Sequence, residues 1–296
     1  MGKIKRLLYG WEKSSAETYR QCYKKNGGSI NVHPDVIDFI IKRTGQSVDY
    51  FHRKVKNEII GSYPLINNKS VGAKVWNLYP VSYDDVLFPF SESGRAMFPE
   101  RCNRISPFLK DSLLNVNYKI ARKGNVCIVK EGFSFKTEKN RRNEYRKFID
   151  AGGTCIDQSA FSAKDLAGLY VKLFNARFQG KVRCHSEENL TDIISSLRPL
   201  IFGKVLFVGD APCAFDLVFR AESDDMIYFD VPNGGLDPSY SHLSPGSLVM
   251  WQNIQAAKAD CEHKKKKMIF SIGALKKEWS YKLRWANVVK TGKPFI

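Results

Sequence analysis

Residues 228–285 constrain this chain most. They read YFDVPNGGLDPSYSHLSPGSLVMWQNIQAAK and, after a charged turn, MIFSIGALKKEWSYKLRW. A strand pattern ends in a run of glycine, proline and short polar residues. That run opens directly into a helix, a second strand follows, and Tyr281-Lys282 with Trp285 close the unit. A glycine-rich loop that feeds a helix N-terminus presents backbone amides able to hold an anion such as a phosphate. The chemistry of the chain is therefore expected here.

Periodicity supplies the elements around this unit. Ser162–Phe178 is amphipathic, with Leu166, Leu169, Tyr170, Leu173 and Phe174 on one face. Residues 187–200 read as a second helix, ended by Arg198-Pro199. Strand patterns follow at 205–208, 213–220 and 226–231, the first two joined by a Gly209-Asp210 turn. Beyond the loop come a helix over 247–260, a strand over 268–272, a short helix over 276–281 and a closing strand over 283–289. In the first half, Pro34 and Asp35 suit the first turn of a helix bearing Val36, Ile37, Ile40 and Ile41. Strands are expected at 48–52 and 58–63 around a Lys-Asn turn, and shorter ones at 75–79, 86–90, 114–121 and 126–129, interrupted by prolines. Thr137 is the expected cap of a basic helix that carries Arg142 and Arg146 and stops at Ala151-Gly152-Gly153.

With 296 residues, 43% of them hydrophobic, the chain can build one large domain or two ordinary ones. No apolar run approaches the length a bilayer helix needs, and MGKIKRLLYGWEKSS lacks a signal-peptide core, so a cytoplasmic location is the default expectation. The seven cysteines are scattered without zinc-type spacing, which suits a reducing compartment and predicts no metal. The net charge of +17 is unevenly placed. Residues 101–150 carry 13 basic against 5 acidic side chains and residues 251–296 carry 11 against 3, whereas residues 201–250 carry 2 against 7. Such a field favours an anionic partner, whether a phosphate-bearing donor or a membrane surface with anionic lipid. No helix-turn-helix spacing stands out, and aromatic residues are not interleaved with the basic runs, so specific DNA binding is not expected.

The loop Asn233–Ser247 admits two readings, an anion cradle or a surface connection capped by Ser244. In the first, Gly246 allows close backbone approach and the amides of Ser247 and Leu248 point at the ligand. Asp216, Asp230 and Asp237 are the acid/base candidates. Asp216 and Asp230 lie within apolar strands, where burial raises a carboxylate toward a general base's working range, although alternation can also turn either to solvent. Asp230 is preferred as the nearer to the loop. Lys282 and Arg284, alternating with Trp285, suit a substrate carboxylate or phosphate, or form the outer face of a closing strand. The basic helix with Arg142 and Arg146 suits a solvated face, an anion groove or a membrane contact, and Lys264–Lys267 a solvated turn or a lipid-facing patch.

The element order, with a phosphate-type loop after the third strand, resembles an N-acyltransferase domain of the GNAT superfamily. Ser244-Pro245-Gly246-Ser247, Ser271-Ile272-Gly273, Tyr281-Lys282 and Trp285 resemble its Fem-type branch, in which two such domains sit in tandem. Nearly end to end, GGSINVHPDVI (27–37), NRRNEYRKFIDAGG (140–153), RPLIFGKVLFVGDAP (198–212), NGGLDP (233–238), SPGSLV (244–249) and FSIGALKKEWSYKLRW (270–285) resemble the Mig-fourteen family of macrophage-induced bacterial proteins. That resemblance implies an α/β fold of tandem GNAT-like halves, 1–134 and 135–296, each a mixed, mostly antiparallel sheet with flanking helices. It implies a role in antimicrobial-peptide resistance and virulence, through acyl or aminoacyl transfer from acyl-CoA or aminoacyl-tRNA to an envelope component or peptide at the inner membrane. The alternative is a non-catalytic binding or regulatory factor. The chain departs from the tighter Gly-and-basic spacing of the best-known GNAT cradle.

Overall fold

A computed structural model describes residues 2–119 and 124–295. The chain opens with α1 (Gly2–Leu8) and β1 (Trp11–Ser14). Next comes α2 (Ala16–Asn26), where the Ser15 hydroxyl accepts from the Thr18 amide. Helix α3 (Pro34–Thr44) starts as its sequence predicts. His33 Nδ1 accepts the Asp35 amide at 3.2 Å, Pro34 occupies the first turn, and Val36, Ile37 and Ile40 are buried. Strands β2 (Val48–Val55) and β3 (Glu58–Ile66) turn on left-handed Lys56 and Asn57, and β4 (Ser70–Val71) completes an antiparallel sheet in the order β1-β2-β3-β4.

Between β4 and residue 134 the expected strands mostly fail to form. Residues 75–79 form a turn, and Val86 and Phe90 make only isolated bridges. Pro80, Pro89, Pro99 and Pro107 each remove a ladder donor, which limits pairing to such fragments. The strand expected at 114–121 is the two-residue β5 (Val116–Asn117), while residues 120 and 121 lie outside the described residues. Strand β6 (Asn125–Val129) follows. Helix α4 (Phe135–Asp150) begins earlier than expected. Its cap is Ser134, whose hydroxyl accepts the Thr137 amide at 3.3 Å, so Thr137 lies inside the helix.

The second half follows as β7 (Gly153–Asp157), α5 (Ala163–Phe178), α6 (Glu187–Ser196), β8 (Ile201–Phe202), β9 (Lys204–Val208), β10 (Ala211–Glu222), β11 (Met226–Leu236), α7 (Pro245–Lys264), β12 (Lys267–Ser271), β13 (Ala286–Lys290) and β14 (Lys293–Pro294). The strand expected to start at 283 starts at 286, because Lys277–Arg284 is a 3-10 helix. The large sheet runs β13-β6-β12-β11-β10-β9-β7, with β8 paired to β10. Strand β6 thus lies inside this sheet, although it precedes the expected boundary after residue 134. Helix α7 packs on one face and α5 on the other. On the α5 side one apolar core runs through both halves, joining Tyr19, Ile37 and Tyr63 to Phe215, Phe219 and Tyr228. Trp251, Ile254, Phe229 and Phe270 form the core under α7.

One feature of the sheet opens a crevice. Strands β11 and β12 are parallel, joined through α7, and paired from Met226↔Lys267 to Asp230↔Ser271. Beyond that point β12 stops, while β11 continues to Leu236 paired only with β10. A crevice opens where they part.

Candidate functional site

That crevice is a cavity of about 350 Å³ at the carboxyl end of the parallel pair. Crevices of this kind are where open α/β sheets bind ligands, because neighbouring chains leave in different directions there. The end of β11, the start of α7, the segment 279–285 and the last turn of α5 supply its walls.

Asp216 is the acidic side chain of this cavity, on β10 opposite Gly234. Its residue is 8% exposed, and its Oδ2 has no hydrogen-bond partner among the described residues. Burial pushes its carboxyl up to about 7, with Arg177 and the Asn253 amide offsetting this only in part. A Cβ on Gly234 would collide with Asp216 Oδ1, so glycine is what lets the carboxylate lie across β11. Arg177, at the end of α5, donates to the Gly234 carbonyl at 3.0 Å and to the Tyr281 hydroxyl at 3.3 Å. Its guanidinium also lies 4.8 Å from the Phe178 ring centre, which fixes it on the wall.

The 3-10 helix Lys277–Arg284 brings Trp279, Tyr281, Lys282 and Arg284 to the cavity, and Trp285 follows. Lys282 is 8% exposed and donates from Nζ to the Ala274 carbonyl at 2.9 Å, with the Trp279 ring centre 4.7 Å away. Burial lowers its pKa, against the opposing pull of Cys127, Asp84 and Asp230. Trp285 is a wall residue, packed on Phe133 and Trp251, with the Arg141 guanidinium 5.6 Å from its ring centre.

The loop differs from a simple two-amide cradle. Ser244 is left-handed (φ 54°) and its side chain caps nothing. Its carbonyl instead accepts the amides of both Ser247 (3.0 Å) and Leu248 (3.1 Å). Leu248 is buried in the core beside Phe148 and Leu206. Pro245 has no amide proton. The Gly246 amide is thus the first-turn donor without a hydrogen bond among the described residues, and Ser244, Gly246 and Ser247 line the cavity.

Asn233, Lys282, Arg284 and Trp285 line the same cavity. Asp230 does not. It pairs with Ser271 before the strands part, is 3% exposed, and faces a small polar pocket with Asn31, Ser82, Asp85 and Tyr228. Burial lifts its carboxyl to about 7, Ser271 opposing and the charges of Asp84 and Asp85 adding. Asp216 reaches the cavity because its partner Gly234 lies beyond the parting. Asp237 caps the 3-10 helix Pro238–Leu243 and is held low by hydrogen bonds from Ser239. Arg142 reaches Glu138 at 3.8 Å on the exposed side of α4, and neither it nor Arg146 lines the cavity. Lys264 and Lys266 pair with Glu222 at 2.6 and 2.7 Å, and Lys267 approaches Glu92 at 3.9 Å, so the lysine run is largely engaged within the fold. Tyr281 lies in the closing motif that the sequence marks, whereas Arg177 carries no signal there. Arg177 reads there as an ordinary cation at a helix C-terminus.

Among the described residues no His, Cys, Asp or Glu group of three forms a metal site, and no helix is long and apolar enough to cross a membrane. No curated protein sequence matches the chain. Among solved structures, FemX superposes over 97% of both chains with a TM-score of 0.62 at 8% identity, which shows a shared Fem-type fold. L-PGS from Bacillus licheniformis matches over 96% of this chain and 92% of its own at 10% identity, with a TM-score of 0.46. A tandem GNAT protein from the clavulanic acid biosynthesis pathway covers 96% of this chain and 95% of its own at 9% identity, with a TM-score of 0.42. At the level of sequence families, the Mig-14 model matches residues 33–294, and the protein belongs to the Mig-14 family.

Proposed function

We propose that this protein is an acyl or aminoacyl transferase that uses Asp216 as its general base. The carrying observation is a buried carboxylate, pushed up to about 7, that lines a cavity together with the cations Arg177, Lys282 and Arg284. A base poised near the operating pH combines the ionised form with useful driving force. The cations suit a phosphate-bearing donor such as acyl-CoA or aminoacyl-tRNA. Asp216 takes a proton from the acceptor amine, whose nitrogen attacks the donor carbonyl. The C–N bond forms as the donor's C–S or C–O bond breaks, and the leaving group takes up a proton. No covalent enzyme intermediate is needed. Membership in the Mig-14 family supports placing this activity in antimicrobial-peptide resistance and virulence. The acceptor is then an envelope component or peptide, reached from the cytoplasmic face of the inner membrane.

A second reading, a non-catalytic binding or regulatory factor, draws on one observation. The Ser247 and Leu248 amides are already satisfied by Ser244, which leaves a weaker cradle. Titration with acetyl-CoA, longer acyl-CoAs and aminoacyl-tRNA, by calorimetry and thermal shift, separates the two. A Gly246→Glu side chain starts 2.8 Å from Leu236 Cδ2 and projects a carboxylate at the cavity, so donor binding is expected to be lost. Asp216→Asn should retain donor binding and reduce turnover by roughly 10²–10⁴-fold. Absence of any donor-induced stabilisation at millimolar concentration rejects the enzyme reading.

A further inference from the structure

We propose that Asp84, from the first half of the chain, is a positioning residue for Lys282, so that the first half completes the cavity built by the second. The inference rests on the reading above, in which Lys282 faces the bound ligand.

The segment Ser82-Tyr83-Asp84-Asp85 is fastened on both sides. The buried Asn31 amide donates to the Ser82 carbonyl at 3.0 Å and to the Asp85 carbonyl at 2.7 Å. From the other half, the Tyr228 hydroxyl donates to Asp85 Oδ2 at 2.8 Å. Asp84 is thereby presented to the turn after β12, where its Oδ2 accepts the Ala274 amide at 2.9 Å. The carbonyl of the same residue, Ala274, accepts the Lys282 ammonium at 2.9 Å. One residue of the turn therefore links the carboxylate to the ammonium. Gly273 makes this possible. It is left-handed (φ 72°), and a Cβ there would stand 3.1 Å from Asp84 Oδ2 and 3.5 Å from Lys282 Nζ.

The energetics favour a dedicated support. A buried ammonium is costly unless paired or hydrogen-bonded. The Lys282 ammonium is held by the Ala274 carbonyl and faces the Trp279 ring. The charged and titratable groups that act on it are Asp84, Asp230, Cys127 and Lys276, and burial holds its pKa below the ordinary lysine value. Asp84 alone combines a favourable charge with a hydrogen bond to the turn that holds Lys282.

Trace acetylation of the full chain with acetic anhydride across pH 7–11, read at Lys282 by peptide mass spectrometry, tests this without any donor. Asp84→Asn keeps an acceptor for the Ala274 amide and removes the charge. The Lys282 midpoint should fall by about half a unit or more, with labelling below the midpoint faster by about threefold. Asp84→Ala, which also frees the turn, should do so more strongly. An unchanged Lys282 profile in folded Asp84→Asn overturns the proposal, even if Asp84→Ala does not fold. A second arm uses inorganic pyrophosphate in calorimetry. Asp84→Ala should weaken binding in the natural chain and have no further effect in a Lys282→Met background, and additive losses overturn the coupling. If pyrophosphate does not bind the natural chain, the donor reading fails, while the labelling arm still decides the role of Asp84.

Discussion

Three carboxyl groups in this protein lie where a carboxylate is unstable. Asp216 and Asp230 are pushed to about 7 and Asp85 to about 6, in each case mainly by burial. In the unfolded chain they titrate near 4. A folded pKa above the unfolded one means that the stabilising contribution is complete below pH ~4 and is lost as pH rises through ~7. Glu222 behaves oppositely. Burial raises it, but Lys264, Lys266 and Arg220 outweigh that and hold it at about 2, so its contribution is present above pH ~4.5 and fades as pH falls further. Between pH 5 and 8 the buried acids therefore dominate. Asp230→Asn should gain stability relative to the natural chain at pH 8 by on the order of 1 kcal/mol or more, with a smaller gain at pH 5. Urea denaturation at the two pH values measures this, and a gain independent of pH would show that Asp230 is ionised across this range in the folded state, its pKa not raised. In the sequence both are carboxylates in apolar strands, with Asp230 preferred as the nearer to the loop. Only the register separates them, since one faces Ser271 inside the parallel pair and the other Gly234 past its end.

At the scale of elements, the crevice depends on how closely α5 crosses β11. A Cβ on Gly235 would run into the backbone of Leu173 and Phe174, which cannot move aside as a side-chain tip can. Gly235→Ala should cost about 1–3 kcal/mol by overpacking. Gly168, within the same helix, meets nothing closer than Glu187 Oε1 at 3.9 Å, so Gly168→Ala should stabilise by about 0.5–1 kcal/mol through better helix propensity. Thermal unfolding of the pair checks both signs, and a destabilising Gly168→Ala would mean that this helix face is more crowded than its surroundings indicate. The same contrast marks what was legible in advance. Helices show in the sequence because local rules set them: Pro34 and His33 open α3, Ser162 caps α5, and each carries a buried stripe. The segments 75–79 and 86–90 have the apolar residues of strands, yet among the described residues no strand pairs with them along their length. Leu248 follows the glycine of the loop in sequence, but the helical turn carries it into the core. Arg177 meets Tyr281 only through tertiary packing, which no local pattern encodes.

At the scale of the whole molecule, the chain reads as two halves that share one core and one sheet. Strand β6, from before residue 134, lies between β13 and β12 in the second half's sheet, with Val126 and Cys127 fully buried. The largest core joins Tyr19 and Tyr63 of the first half to Phe215 and Tyr228 of the second without a break. The polar layer crosses as well, through Tyr228 on Asp85 and the Ala274 amide on Asp84. Opening either half alone would expose apolar surface at about 25 cal/mol per Å² and strand buried polar partners at about 1–3 kcal/mol each. Independent domains share neither, so the two parts should melt together. Calorimetry is expected to give one transition with matching calorimetric and van't Hoff enthalpies, and Tyr228→Phe, which removes one crossing hydrogen bond, should lower that single midpoint without splitting it. Two resolved transitions would mean that the shared core contributes little, and the dependence of the Lys282 cavity on Asp84 would then have to survive without a rigid junction to transmit it.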